Sequence, residues 1–318
     1  MLGIRLVDVD GSVAVGEGPE PAGPDGWVRV RMKAASVNAS DFAMAAGFRA
    51  DPARLPTVLG SDGAGVTDDG DEVLVYPILA APRYAADPML DLDLRMLSQG
   101  VDGTFAEAVW LPKANLVPKP AGLDWEAAAG LGTAWLTAYR MLFTRARVVP
   151  GETVLVQGVG GGVATALIQL GRAAGLRVWV TARDPERGSR AVAELGANAV
   201  FRSGSALPEP VDAVLDAVGG ATFEHSLSSL RPGGRLVTAG AAGGASARLD
   251  LPTVFSRSLS ILGSAMGSAD ELRRLADFCV TAGVAPRIDS VWALADGKKA
   301  LDRAGSGAAF GKVVIRCG

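Results

Sequence analysis

The sequence predicts an α/β protein of two lobes, one a doubly wound parallel sheet and the other smaller and mostly β. Three observations predict it. The 318 residues exceed one average module of about 100 to 200 residues. From residue 1 to about 118, short β-type runs are broken by glycine, proline and aspartate. After Gly151, apolar strands alternate with amphipathic helices, the pattern of a parallel sheet covered on both faces.

Each element has its local reason. Met1-Leu-Gly-Ile-Arg-Leu-Val-Asp-Val-Asp10 alternates like a strand and lacks the basic and apolar regions of an export signal. The runs Trp27–Met32, Asp71–Tyr76 and Thr104–Leu111 extend an irregular, mostly antiparallel lobe. Between Arg83 and Gly103 lies a loop-rich stretch carrying Asp91, Asp93 and Asp102. It is longer than an ordinary connection, so a lid or a protruding lobe is expected. Helical patterns follow from Asp124, a suitable N-cap, to about Thr144, and from Gly162 to Ala174. The nearly apolar run Ala127–Tyr139 falls short of the roughly 20 residues that span a bilayer and reads as a buried helix. Strands are expected at Thr153–Gln157, Arg177–Thr181, Ala199–Phe201, Ala213–Leu215, Arg235–Ala239 and Leu259–Leu262. The terminal run Lys312–Arg316 has no obvious place in that sheet and is expected to return to the first lobe.

Composition narrows the chemistry. Apolar residues make up 49% and charged residues 20%, as in ordinary globular proteins. Lysine and arginine number 31 against 34 acids, a formal charge of −3 with no basic patch for nucleic acid or an anionic membrane. A small-molecule partner is the remaining default. The two cysteines, Cys279 and Cys317, stand too near the end of the chain to staple the whole fold, and the protein is expected in the cytoplasm. Those cysteines and the single histidine, His225, do not supply the ligands of a usual zinc site, so no metal is expected. A serine–histidine–acid triad would have to be built on His225, whose surroundings, Gly219–Leu230, read as an amphipathic helix with the histidine on its surface.

The sharpest motif is Thr153-Val-Leu-Val-Gln-Gly158-Val-Gly160-Gly161-Gly162-Val163-Ala164, an apolar strand running into glycines and then into the helical pattern Thr165–Ala174. Strand, glycine turn and helix together are the context of a dinucleotide site. Glycine lets the backbone turn tightly and approach a pyrophosphate, and the helix start offers unpaired N–H groups and partial positive charge. Gly158, Gly160, Gly161, Gly162 and Val163 are therefore candidate cofactor-binding residues.

The choice between NAD and NADP rests on the end of the second strand, where an acid would bind the ribose 2′-hydroxyl and a base the 2′-phosphate. Here Arg177-Val-Trp-Val-Thr-Ala182 ends in Arg183-Asp184, with Thr181, Arg187 and Arg190 as further donors. Arg183 suits bidentate phosphate recognition, which favours NADP(H). In the alternative, Arg183 is a solvated surface residue, and Asp184 is the ribose ligand or a helix cap.

Further motifs run the length of the chain: Val30-Arg-Met-Lys-Ala-Ala-Ser-Val-Asn38-Ala-Ser-Asp41, Leu55-Pro-Thr-Val-Leu-Gly60-Ser-Asp62-Gly-Ala-Gly65, Gly103-Thr-Phe-Ala-Glu107, Gly132-Thr133-Ala134, Val211-Asp-Ala-Val-Leu-Asp216 and Gly311-Lys312-Val-Val. With the glycine turn, they resemble the medium-chain dehydrogenase/reductase superfamily, in its zinc-free quinone oxidoreductase-like branch. The resemblance implies a GroES-like catalytic domain of residues 1–120 and 285–318 and a Rossmann domain of residues 121–284. It also implies a homodimer paired near Leu259–Leu262. Zinc-dependent relatives carry a cysteine where this chain has Asn38 and a histidine–glutamate pair where it has Ser61-Asp62.

Carried over residue by residue, the resemblance makes Asn38 and Thr133 the catalytic pair. It places Gly240 and Ala241 in a turn passing the nicotinamide ribose, Ser264 and Met266 near the carboxamide, and Lys312 in the cofactor-binding set. Each has a plainer alternative: Asn38 and Asp41 equally suit a helix cap, Thr133 a bond to its own helix, and Met266 core filling. The tyrosine that many relatives place in an Arg-x-Gly-x-Tyr-Pro-like segment is missing from Ala45-Ala-Gly-Phe-Arg-Ala50. Tyr84 is the candidate hydroxyl in its stead. The reading that results is an NADPH-dependent, zinc-independent reductase of quinones or α,β-unsaturated carbonyls, enoyl thioesters included. A nucleotide-binding structural or interaction protein with little turnover is the alternative.

Overall fold

The computed structural model describes residues 1–20 and 22–318. By its own contacts the chain divides into two compact units, Met1–Leu136 with Gly267–Gly318, and Thr137–Met266. The second unit is shorter at both ends than the 121–284 expected from the sequence. The helix Ala269–Ala282 buries Leu272, Leu275, Ala276 and Cys279, one stripe of its surface. It packs on the strand Leu116–Pro118 and the helical turn Leu131–Trp135, and so belongs to the first unit.

In the first unit a seven-stranded sheet runs in the order Leu116–Pro118, Glu72–Val75, Asp62–Thr67, Trp27–Ser36, Lys312–Arg316 and Ile288–Ala293, with Ala108–Pro112 joined to Trp27–Ser36. Its pairs are antiparallel except for Ile288–Ala293 with Lys312–Arg316. The terminal strand does return to the first lobe, where Val313, Val314 and Ile315 are buried. Along Trp27–Ser36, Val30, Met32 and Ala34 face the core in alternation, and from Ala34 to Ser36 every residue is buried. The strand therefore enters the interior just before Asn38.

The stretch from Arg83 to Gly103 is organised by its acids. Asp91 accepts from the backbone N–H of Ala81 (2.8 Å) and of Asp93 (3.0 Å), and Asp102 accepts from that of Val58 (2.9 Å). The strands Ile78–Leu79 and Arg95–Met96 pair antiparallel and tie the base of the excursion.

The second unit is a six-stranded sheet in the order Ala199–Arg202, Arg177–Ala182, Thr153–Gln157, Val211–Asp216, Leu230–Thr238, Ser260–Gly263, parallel throughout. All six expected strands are present, with ends moved by a few residues. Leu155, Trp179, Val214, Leu227, Leu230 and Leu236 form its core, with the Trp179 and Phe201 rings 5.2 Å apart. Strand order reverses between Thr153–Gln157 and Val211–Asp216, the crevice where open parallel sheets bind ligands at their carboxyl ends.

Candidate active site and nucleotide turn

The glycine turn stands at that reversal. Thr153–Gln157 is buried along its whole length and is followed by Gly158 (φ +80°) and Gly160 (φ +92°), whose left-handed backbone favours glycine. Gly161 begins the helix Gly162–Ala173, and no side chain caps that start. A Cβ built on Gly161 would meet nothing within 4 Å, so the chain itself does not require glycine there. An exposed, uncapped helix start behind a buried strand offers unpaired N–H groups and partial positive charge, the chemistry that suits a phosphate.

A polar network braces this turn. Gly158 N–H donates to Thr181 Oγ1 at 3.1 Å, and the Thr181 hydroxyl donates to Gln157 Oε1 at 2.7 Å. Gln157 Nε2 donates to Ser226 Oγ (3.0 Å) and lies 2.9 Å from His225 Nδ1. His225 Nε2 lies 2.8 Å from the Ser205 carbonyl, which can only accept. The proton is therefore on Nε2, and Nδ1 accepts from Gln157. His225 is thus a half-buried strut of the nucleotide turn, correcting its reading as a helix-surface residue. Thr181 is buried and supports the turn from within.

The other candidates of this unit gather at the same carboxyl edge of the sheet. Arg183 is exposed just after Arg177–Ala182, while Asp184 accepts from Glu186 N–H at 2.9 Å and caps the helix Pro185–Leu195. Gly240 and Ala241 form an exposed turn after Leu230–Thr238. Ser264 N–H donates to the Thr238 carbonyl (2.9 Å), its Oγ is buried without a partner among the described residues, and Met266 has a φ of +40°.

A second cluster lies wholly within the first unit. Asn38 caps the helix Ala39–Ala45, and its N–H donates to Asp41 Oδ2 at 2.7 Å, so the cap alternative holds for the backbone. Its side chain has another partner. The Lys312 ammonium, 2% exposed, donates to Asn38 Oδ1 (2.6 Å), to the Val37 carbonyl (3.0 Å) and to Asp62 Oδ2 (3.2 Å). All three of its N–H bonds are thereby used. This corrects the placement of Lys312 in the cofactor-binding set: it is a buried anchor of Asn38 and Asp62. Ser36 Oγ also reaches Asp62 Oδ2 at 3.0 Å. A Cβ on Gly132 would come within 2.9 Å of Asp62 Oδ1, so glycine is needed where that helix passes the carboxylate.

From Asn38 the contacts continue. Its Nδ2 lies 3.3 Å from the Ser36 carbonyl and 3.4 Å from Ser61 Oγ, and Ser61 Oγ lies 3.1 Å from Asp41 Oδ1. Thr133, on the wide π-type turn Leu131–Trp135, reaches Ser61 Oγ at 3.5 Å. Complete burial pushes the Asp41 carboxyl up to about 7, with the Asp62 charge adding to the rise and the Asn38 N–H and Lys312 opposing it. The structure therefore brings Asn38 and Thr133 together around Ser61. Tyr84 makes no hydrogen bond to them among the described residues: it sits on the turn Pro82–Tyr84 with the Arg83 guanidinium 4.9 Å from its ring.

The donors at this cluster do not suit a zinc ion. Of its two buried carboxylates, Asp62 is taken by the Lys312 ammonium and Asp41 by the Asn38 N–H and the Ser61 hydroxyl, and the remaining groups are an amide and hydroxyls. Cys279 and Cys317 are buried free thiols pushed up to about 12 by burial, and among the described residues no three His, Cys, Asp or Glu side chains converge.

A parallel sheet with a phosphate cradle at its reversal, joined in one chain to a β-rich unit with a buried polar cluster, defines an oxidoreductase that uses a pyridine nucleotide. Residues 24–121 match the alcohol dehydrogenase GroES-like domain, and residues 162–281 match the zinc-binding dehydrogenase family. The chain is 30% identical over 260 residues to the quinone oxidoreductase of Rattus norvegicus, across 78% of this chain and 74% of that one. A crystal structure of an NAD-dependent alcohol dehydrogenase superposes over the whole of both chains with a TM-score of 0.89 and 33% identity. The 2-octenoyl-CoA carboxylase reductase CinF, solved with NADP and 2-octenoyl-CoA, aligns at a TM-score of 0.88 and 25% identity, over 99% of this chain and 87% of that one. The chain belongs to the medium-chain dehydrogenase/reductase superfamily and is quinone oxidoreductase-like. Among the described residues no helix is long and apolar enough to cross a membrane.

Proposed function

We propose that the protein is an NADPH-dependent, zinc-independent reductase that delivers hydride to a quinone or an α,β-unsaturated carbonyl, enoyl thioesters included. The observation that carries this reading is the ammonium of Lys312 between Asp62 and Asn38, at positions where zinc-dependent relatives hold their metal ligands. The groups left to meet a substrate oxygen are neutral donors. They suit an oxygen whose charge is spread over a conjugated system better than the alkoxide of a simple alcohol. The names of the rat relative and of the CinF complex agree with such acceptors.

The bound nucleotide supplies the hydride. The chain's own residues bind, orient and stabilise. Lys312 can only donate, so Asn38 must turn Oδ1 towards it and Nδ2 away. The two contacts of Nδ2, at 3.3 and 3.4 Å, are long enough to yield to a substrate oxygen. Thr133 offers a second donor. At the nucleotide turn, Gly160 to Val163 hold the pyrophosphate and Arg183 the 2′-phosphate. The edge strand Ser260–Gly263, with Phe255 72% exposed on the preceding helix, supports a homodimer.

Titration of the protein with each nucleotide tests the cofactor, and Arg183→Glu isolates the phosphate contact. The variant is expected to weaken NADPH by about a hundredfold, roughly 3 kcal/mol, and to leave NADH within a few fold. Equal weakening of both nucleotides would remove Arg183 from the phosphate site.

A further inference from the structure

The missing family tyrosine leaves open where the proton for the substrate oxygen comes from, and the polar cluster of the first unit holds an answer. Asp41, Ser61 and Thr133 form an unbroken line: Asp41 Oδ1 to Ser61 Oγ at 3.1 Å, and Ser61 Oγ to Thr133 Oγ1 at 3.5 Å. Asp41 is fully buried at one end, and Thr133 is half-buried at the other. We propose that this line is a proton relay, in which Asp41 stores a proton and Ser61 and Thr133 carry it to the oxygen of the reduced substrate. The proposal rests on the reductase reading above.

Charge counting supports a stored proton. The charged groups facing Asp41 are Asp62 and Lys312, and these two pair with each other at 3.2 Å. Two buried carboxylates thus share one ammonium, and the second is left without a counter-charge. Its direct contacts, the Asn38 N–H and the Ser61 hydroxyl, are neutral. A carboxyl so placed holds its proton near neutrality, in line with its rise to about 7.

The step balances. Hydride, with its electron pair, adds to the β-carbon of the acceptor and negative charge reaches the carbonyl oxygen. The Thr133 O–H bond breaks as its proton goes to that oxygen. The Ser61 proton moves to Thr133 Oγ1, and the Asp41 proton moves to Ser61 Oγ. Asp41 is left as carboxylate and is reprotonated from water after product leaves, while an enol product tautomerises in solution. The 3.5 Å gap at Thr133 is the weakest link, and such bonds commonly tighten only with substrate in place. In this scheme Thr133 is the catalytic residue, and Ser61 and Asp41 act through it.

The test combines a pH profile with infrared difference spectroscopy. The kcat of the natural protein is expected to be flat at acid pH and to fall about tenfold per pH unit above about 7. Asp41→Asn, which keeps the size and bonds of the protonated carboxyl, should lose about 10²-fold in kcat and the alkaline limb with it, at unchanged nucleotide affinity. Ser61→Ala should do the same with Asp41 intact, and it keeps the test alive if Asp41→Asn does not fold. An alkaline limb that survives in Ser61→Ala overturns the relay. The infrared measurement needs no turnover: a protonated carboxyl band should disappear between pH 6 and pH 8 and be missing from Asp41→Asn. If no acceptor is reduced, the reductase reading fails by itself. The absence of the band overturns the stored proton in either case.

Discussion

The ammonium of Lys312 donates to Asn38 Oδ1 at 2.6 Å, joining residues 274 positions apart in the chain. The strand Lys312–Arg316 must therefore pair with Trp27–Ser36 before the amide of the site can be oriented. In the same contact Asp62 receives its one counter-charge among the described residues, so the geometry of the site and the stability of the first unit share one side chain.

Lys312→Met tests that dependence. Removing the ammonium leaves Asp62 buried and uncompensated, which costs about 3–5 kcal/mol. Asp62→Asn in the same chain removes the stranded charge and should recover much of the loss. Urea unfolding of the two single variants and the double variant checks this, with a coupling above about 1 kcal/mol expected. Purely additive losses would mean the two groups do not act as a pair.

Gly161→Ala separates folding from nucleotide binding. The backbone there has an ordinary φ of −74° and open space at the Cβ position, so unfolding stability should change by less than about 1 kcal/mol. A pyrophosphate lying against that backbone would meet the added methyl, and nucleotide affinity should fall about tenfold or more. Fluorescence titration with NADPH, next to a thermal melt, reads both. Unchanged affinity would place the pyrophosphate elsewhere.

Asp289 governs the acid side of stability. Arg303 donates to both its oxygens at 2.8 Å and Phe310 N–H to one of them at 2.9 Å. With the Arg303 bonds as the main cause, its carboxyl is held down at about 2, against 3.8 for a free aspartate. Its stabilisation is present above pH 3.8 and is lost as pH falls through about 2. Asp289→Asn should cost about 2 kcal/mol at pH 7 and progressively less below pH 4. Urea midpoints measured across that range check it, and a penalty that does not change with pH would contradict the ion-pair account.

Much of this was legible in the sequence because it is local. Continuous apolar runs announced all six parallel strands, and the glycines after Gln157 announced the turn. Arg183 and Asp184 were separable only by structure, since both stand at the right place and only the N–H of Glu186 shows which one caps the helix. Lys312 was misplaced because its partners lie some 250 residues away or more, a distance over which periodicity carries no signal. The wide turn that carries Thr133 was hidden for another reason: apolar spacing announces a helix from Asp124 but not the extra residue in its turns. Asp41 and Ser61 stood in view within their motifs. Their contact, which gives them a shared role, was not.

Reduction of a conjugated acceptor without a metal is decided by one comparison. Initial rates of NADPH consumption are measured with a quinone, a 2-alkenal, a cyclic enone and an enoyl thioester. Oxidation of the corresponding alcohols with NADP+ is measured beside them, with and without a chelator. At least one acceptor class should turn over at about 1 per second or faster, NADPH should outpace NADH, and the chelator should change nothing. Alcohol oxidation that exceeds acceptor reduction and is abolished by the chelator would contradict the account, as would tight NADPH binding with no consumption in any arm.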